Sequence, residues 1–140
     1  MYEVTIVNNK IIGNLGEDIA CKYLEGKGFI VKTRNYLKKW GEIDIVTHET
    51  NGKIHFVEVK TVSRENGRST GNGLQSIRKG QYRAEDNVHP EKLRRMRRVI
   101  QSYLLEKGDD GYNWQFDVLT VTLNMRDKTA QCLLIDDVVL

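Results

Sequence analysis

The chain has 140 residues, is 39% hydrophobic and 29% charged, and carries a net charge of +3. That length suits one domain with a real core, and the composition is that of a soluble globular protein. No apolar run approaches the ~20 residues of a membrane span, and the start, MYEVTIVNNK, lacks a basic stretch followed by an apolar block. We therefore expect a cytoplasmic protein without a secretory signal. Cys21 and Cys132 stand far apart in no metal-binding spacing, which predicts reduced, partly buried thiols.

In chain order, YEVTIV is a candidate extra strand at the start. Residues 13–28 read as a helix, with Leu15, Ile19, Ala20, Tyr23 and Leu24 on one arc, Asn14 as its cap and Gly28 at its end. FIVKTRN and GEIDIVTHE alternate as strands, and KIHFVEVKTV is a third. The turn signal between the last two predicts a hairpin. A three-residue loop, 50–52, closed by Glu49 and Lys53 with Gly52 at positive φ, would set Asp44 opposite Glu58. A two-residue loop would turn them to opposite faces. Residues 63–87 hold four glycines, much charge and little apolar periodicity, so 64–88 reads as a flexible basic loop. HPEKLRRMRRVIQSYLLEKG is a second helix, with Pro90 in its first turn, Gly108 past its end and a stripe of Leu93, Met96, Val99, Ile100, Tyr103 and Leu104. YNWQFDVLTVTL and TAQCLLIDDVVL are two further strands. The order of helix, three strands, helix and two strands predicts one α/β domain over 1–140, its core at about 13–123.

Charge is segregated. Residues 64–98 hold ten Lys or Arg against four Asp or Glu, leaving the rest of the chain at a net −3. One side should be basic. Within that region Arg64, Arg78, Lys79, Lys92, Arg94, Arg95 and Arg98 are candidate phosphate contacts, the alternative being an ordinary solvated helix face.

The stretch FVEVKTV carries two charges into an apolar strand. Alternation puts Phe56, Glu58 and Lys60 on one face and Val57 and Val59 on the other. In EIDIV it puts Ile43 and Ile45 together, with Glu42 and Asp44 opposite them. Carboxylates facing each other across a hairpin repel. A hard divalent cation removes that penalty, because Mg²⁺ takes oxygen ligands, and a neighbouring lysine can serve a phosphate or an attacking water. The bland alternative for Glu58 and Lys60 is an exposed pair on an edge strand. For Glu17, three residues after Asn14, it is a capping box. The three histidines have no zinc spacing. Trp40 and Trp114 read as packing residues, with Trp40 placed to touch a substrate.

GEDIACKYL, NYLKKWGEIDIV, FVEVKT, KLRRMRRVIQSYL and FDVLTV, spread over about residues 13–121, together resemble the YraN-type family of predicted bacterial endonucleases. That family is similar to archaeal Holliday-junction resolvases within the PD-(D/E)xK nuclease group. The resemblance implies a restriction-endonuclease-like mixed sheet flanked by helices and Mg²⁺-dependent (or Mn²⁺-dependent) hydrolysis of DNA, branched DNA included. Asp44 and Glu58 match the metal-ligand acids, and the Val59 carbonyl is a candidate third oxygen. Lys60 matches the lysine that positions or activates water, and Glu17 the helix acid of resolvase-like members. Glu42 is a supporting candidate. A homodimer is expected by analogy alone. The chain departs from the family pattern at Val62, where Arg is usual, with Arg64 two further on. Its basic segment is longer, and its THETNGK turn longer by one residue. A non-cleaving nucleic-acid-binding module and an RNA-processing nuclease are the rival readings.

Overall fold

The computed structural model describes residues 9–65, 68–69, 90–108 and 113–140. The candidate strand YEVTIV, most of the expected flexible basic loop 64–88 and the candidate phosphate contacts Arg78 and Lys79 lie outside them. The elements are α1 (Asn9–Gly26), β1 (Ile30–Lys38), β2 (Gly41–His48), β3 (Ile54–Glu65), β4 (Arg68–Ser69), α2 (Pro90–Glu106), β5 (Trp114–Asn124) and β6 (Thr129–Ile135). One mixed sheet runs β1-β2-β3-β5-β6, with the short β4 beside β3. Among the described residues only β3 and β5 are parallel, and α2 lies on the crossover between them. The predicted α/β class and mixed sheet are present.

Among the described residues, one helix covers each face of the sheet. Met96, Val99, Ile100, Tyr103 and Leu104 of α2 pack on Ile43, Val46, Ile54, Phe56, Phe116 and Val118. Ala20, Cys21 and Leu24 of α1 pack on Ile45, Val57, Leu119 and Val121. Both cysteines are free thiols, Cys21 buried and Cys132 half-buried. Among the described residues no helix is long and apolar enough to cross a membrane.

Helix α1 starts five residues before Asn14, which corrects the expected cap. Glu17 is therefore mid-helix, and the capping-box reading of it fails. Asn14 and Gly13 look like start signals, but Ile12 and Ile19 both pack on the α1-side core, so the apolar stripe carries the helix through them. The other end is as expected. Gly28 takes φ +95°, its N–H donates to the Glu25 carbonyl (3.0 Å), and the Phe29 N–H donates to the Leu24 carbonyl (3.1 Å). That is a Schellman close. Gly108 ends α2 with φ +69°. Strand β6 stops at Ile135, short of the expected run to the C-terminus. Asp137 turns out at φ +56°, its N–H held by Asp117 Oδ1 (2.9 Å), and Val138 and Leu140 fold onto the α2-side core.

Gly16 sets how closely α1 approaches the sheet. A Cβ there would stand 1.9 Å from Thr61 Oγ1 on β3. Gly16→Ala should therefore lower the denaturant midpoint. Overpacking of about 1–3 kcal/mol outweighs the ~1 kcal/mol that alanine gains as a helix former.

His55 is buried on the α1 side between two carboxylates. Its Nδ1 faces Asp117 Oδ2 at 2.6 Å and its Nε2 faces Glu49 Oε2 at 2.5 Å. Burial pushes the imidazole pKa down, but the hydrogen bonds to Asp117 and Glu49 outweigh that and raise it. A raised folded pKa means stabilisation that is full below about pH 6.5 and lost as pH rises through the folded value. The thermal midpoint should fall over that upper range. In His55→Gln that limb should be flat, and the buried Asp117 left without its charge partner should cost about 3–5 kcal/mol.

Candidate active site

The hairpin joining β2 and β3 has the three-residue loop. The Glu49 N–H donates to the Lys53 carbonyl (2.8 Å), Gly52 sits at φ +96°, and Asn51 Oδ1 accepts from the Lys53 N–H (2.9 Å). Ile45 pairs with Val57, Val46 with Phe56, and His48 with Ile54. Continued by one step, this register sets Asp44 opposite Glu58.

The backbone ladder stops short of that step. At Asp44 the side chain takes over from the backbone, and its Oδ2 accepts the Val59 N–H at 2.8 Å. The same point breaks the alternation expected of β2. Ile43 belongs to the α2-side core and Ile45 to the α1-side core, so they lie on opposite faces rather than the same one. Strand β1 does likewise. Arg34 reaches α1, 2.8 Å from Asp18 and 3.7 Å from Glu17, while Tyr36 lies edge-on to Tyr103 of α2. Between them stands Asn35 at φ +54°, opposite Asp44, and this couple is missing from the β1–β2 register. Both strands thus change faces at one level, which frees Asp44 to turn toward β3.

Strand β3 keeps its expected alternation, and it is central in the sheet, so the edge-strand reading of Glu58 and Lys60 fails. Their side chains are only 13% and 19% exposed, with Lys60 Nζ 3.4 Å from Glu58 Oε2. Lys92 Nζ of α2 approaches the same oxygen at 3.7 Å. The two lysines share one carboxylate. A cleft of about 460 Å³ opens here, lined by Trp40, Gly41, Glu42, Asp44, Glu58, Val59, Lys60, Lys92, Arg95 and Met96. Glu17 stands beside it from α1. The Asn35 amide nitrogen, oriented to satisfy both acids, donates to Glu17 Oε1 (3.1 Å) and Glu42 Oε2 (3.3 Å).

The electrostatics follow from this crowding. Burial pushes the Asp44 carboxyl up to about 7, opposed by the Val59 N–H and reinforced by Glu17, Glu58 and Glu42. Burial likewise raises Glu17, with Arg34 and Asn35 opposing and Glu42 reinforcing. Such a site favours taking up positive charge. Its donors are carboxylate oxygens, a set that suits a hard cation. Among the described residues no three His, Cys, Asp or Glu side chains are gathered tightly enough to cage an ion alone. A cation here would complete its shell with backbone oxygen, water and phosphate, as Mg²⁺ commonly does.

The structure divides the basic run of α2. Lys92 and Arg95 line the cleft. The Arg98 guanidinium lies 4.2 Å from the centre of the Trp40 ring at the cleft wall. Arg94 is paired with Glu91, and Arg97 donates to the Leu140 carbonyl (2.6 Å). Arg64 lies four residues beyond Lys60 on β3 and does not line the cleft. Sequence reasoning missed Asn35 and Arg34. In the local pattern RNY, Asn is a residue that takes a left-handed φ readily, but nothing beside it marks that conformation inside a strand.

Fold and cleft together define an α/β protein whose mixed sheet opens, where two strands change faces, onto a site of clustered acids and lysines. The model of the family described as "Uncharacterised protein family UPF0102" matches residues 16–121. The chain belongs to this family, the YraN-type family that its motifs resemble. Among its relatives are UPF0102 proteins of Alkaliphilus oremlandii, Desulforamulus reducens and Clostridium kluyveri. The first is 41% identical over 118 residues, covering 82% of this chain and 87% of the relative. The second is 33% identical over 126 residues (89% and 92%), and the third 34% over 129 residues (92% and 93%).

Proposed function

We propose that this protein is a Mg²⁺-dependent (or Mn²⁺-dependent) endonuclease that hydrolyses phosphodiester bonds in DNA, branched DNA included. One observation carries the reading: Asp44, Glu58 and Lys60 line a single cleft although they come from two strands whose ladder has already ended. Asp44 and Glu58, with the Val59 carbonyl, would hold the cation. Such an ion, when bound, supplies Lewis acidity toward a phosphoryl oxygen and stabilises the charge that develops there. Lys60 orients the attacking water for in-line displacement and favours its loss of a proton. Lys92 and Arg95, on the opposite wall, hold the phosphates that flank the scissile one.

The test is a cleavage screen on linear, flapped and four-way DNA and on matching RNA, with Mg²⁺ or Mn²⁺, and with Lys60→Ala as control. Cation-dependent DNA cuts that vanish in the control support the reading. Binding without cuts on any substrate would assign the fold to a non-cleaving module, and cuts in RNA alone to an RNA-processing enzyme. The two cleft cations also predict a salt effect. Lys92→Ala/Arg95→Ala should weaken DNA binding similarly across sequences and reduce the slope of log affinity against log salt by roughly two, because each lost phosphate contact removes one released counterion.

A further inference from the structure

We propose that Asn35 is a positioning residue of this site: its side-chain amide, held in place by a left-handed backbone, bridges the carboxylates of Glu17 and Glu42 and so sets the helix acid against the strand acids. The inference rests on reading the cleft as a cation site. Three observations carry it. Asn35 has φ +54° and, with Asp44, is missing from a register in which Arg34 pairs with Ile45 and Tyr36 with Ile43. With its amide turned so that the nitrogen faces the acids, the orientation that satisfies both, that nitrogen lies 3.1 Å from Glu17 Oε1 and 3.3 Å from Glu42 Oε2. These acids stand on two different elements, Glu17 on α1 and Glu42 on β2.

Chemistry narrows the choice of residue. An amide NH₂ has two hydrogens, one for each carboxylate. It draws the two acids together without adding charge. A lysine or arginine in its place would neutralise them and oppose a bound cation. The backbone narrows the choice further. A left-handed φ is open to glycine, and Asn is among the few other residues that adopt it readily. Glycine has no donor, and ionised aspartate would add a repelling carboxylate. Asn meets both demands. Arg34, by contrast, takes Glu17 and Asp18 from outside the cleft.

The test uses Mn²⁺ alone as probe, its affinity measured by calorimetry and the folded state followed by the metal-free thermal midpoint. Asn35→Gly keeps the backbone and removes the donor. It should leave the metal-free midpoint within a few degrees and weaken Mn²⁺ binding about tenfold, the lower end of what loss of an outer partner costs a metal site. In a Glu17→Ala/Glu42→Ala background the same substitution should have no further effect, because the acceptors through which Asn35 acts are gone. An equal loss in both backgrounds would place Asn35 in the scaffold and overturn the proposal. So would an Asn35→Gly protein that fails to fold, or one that binds Mn²⁺ as the native protein does. Failure of the native protein to bind Mn²⁺ would instead overturn the reading of the site itself.

Discussion

Lys60→Ala should lose about 10²–10³-fold in the rate of DNA cleavage while still binding Mn²⁺. That magnitude is what removal of one preorganised charge at a reacting centre costs, about 3–4 kcal/mol. The geometry explains why the two effects should separate. The Lys60 ammonium stands 3.4 Å from Glu58 Oε2 and is held in the cleft by β3, which pairs with β5 at this residue. It is not itself an oxygen donor, so its removal leaves the acids in place. Lys92 still faces Glu58 and keeps that carboxylate from standing alone. Single-turnover cleavage beside Mn²⁺ calorimetry reads both quantities. A Lys60→Ala protein that cuts at the native rate would remove Lys60 from the chemistry. One that also loses Mn²⁺ would make it a structural partner of Glu58.

Mn²⁺ should raise the thermal midpoint of the native protein by several degrees and leave Asp44→Asn/Glu58→Gln unmoved. An ion at 100 times its Kd stabilises the folded state by about 2.7 kcal/mol, provided it binds only that state. Protons compete for the same oxygens. The Asp44 carboxyl is raised from an ordinary 3.8 to about 7 in the folded protein. Between those values the folded state holds more protons than the unfolded one. Metal-free stability should therefore fall as pH rises from about 4 to 7, by a total on the order of a few kcal/mol. Asp44→Asn should reduce that slope, leaving the share due to the raised Glu17 carboxyl and the separate limb due to His55. The Mn²⁺ shift should be larger at pH 8 than at pH 5.5, because the ion no longer has to displace a proton. Equal Mn²⁺ shifts in the native and doubly substituted proteins would move the ion elsewhere on the molecule.

Local chemistry made much of this protein legible from its residues. The apolar stripe of α2, its proline start and the glycines ending both helices depend on contacts within a turn or two. The hairpin register follows from Gly52 in a three-residue loop, and it alone brings Asp44 to the level of Glu58. The charged side chains in FVEVKTV marked the site because burying them needs a partner or an ion. Tertiary structure decided the rest. Asn14 looks like a helix cap, but core packing carries α1 through it, and Gly16 against Thr61 then sets Glu17 beside the acids. Alternation of period two cannot foresee that β1 and β2 change faces at Asn35 and Asp44, because a left-handed residue inside a strand is selected by its long-range partners and not by its neighbours. The pairing of Lys92 with Glu58 joins residues 34 positions apart in sequence. Only the crossover of α2 between parallel strands, over a cleft framed by β2 and β3, could bring them together.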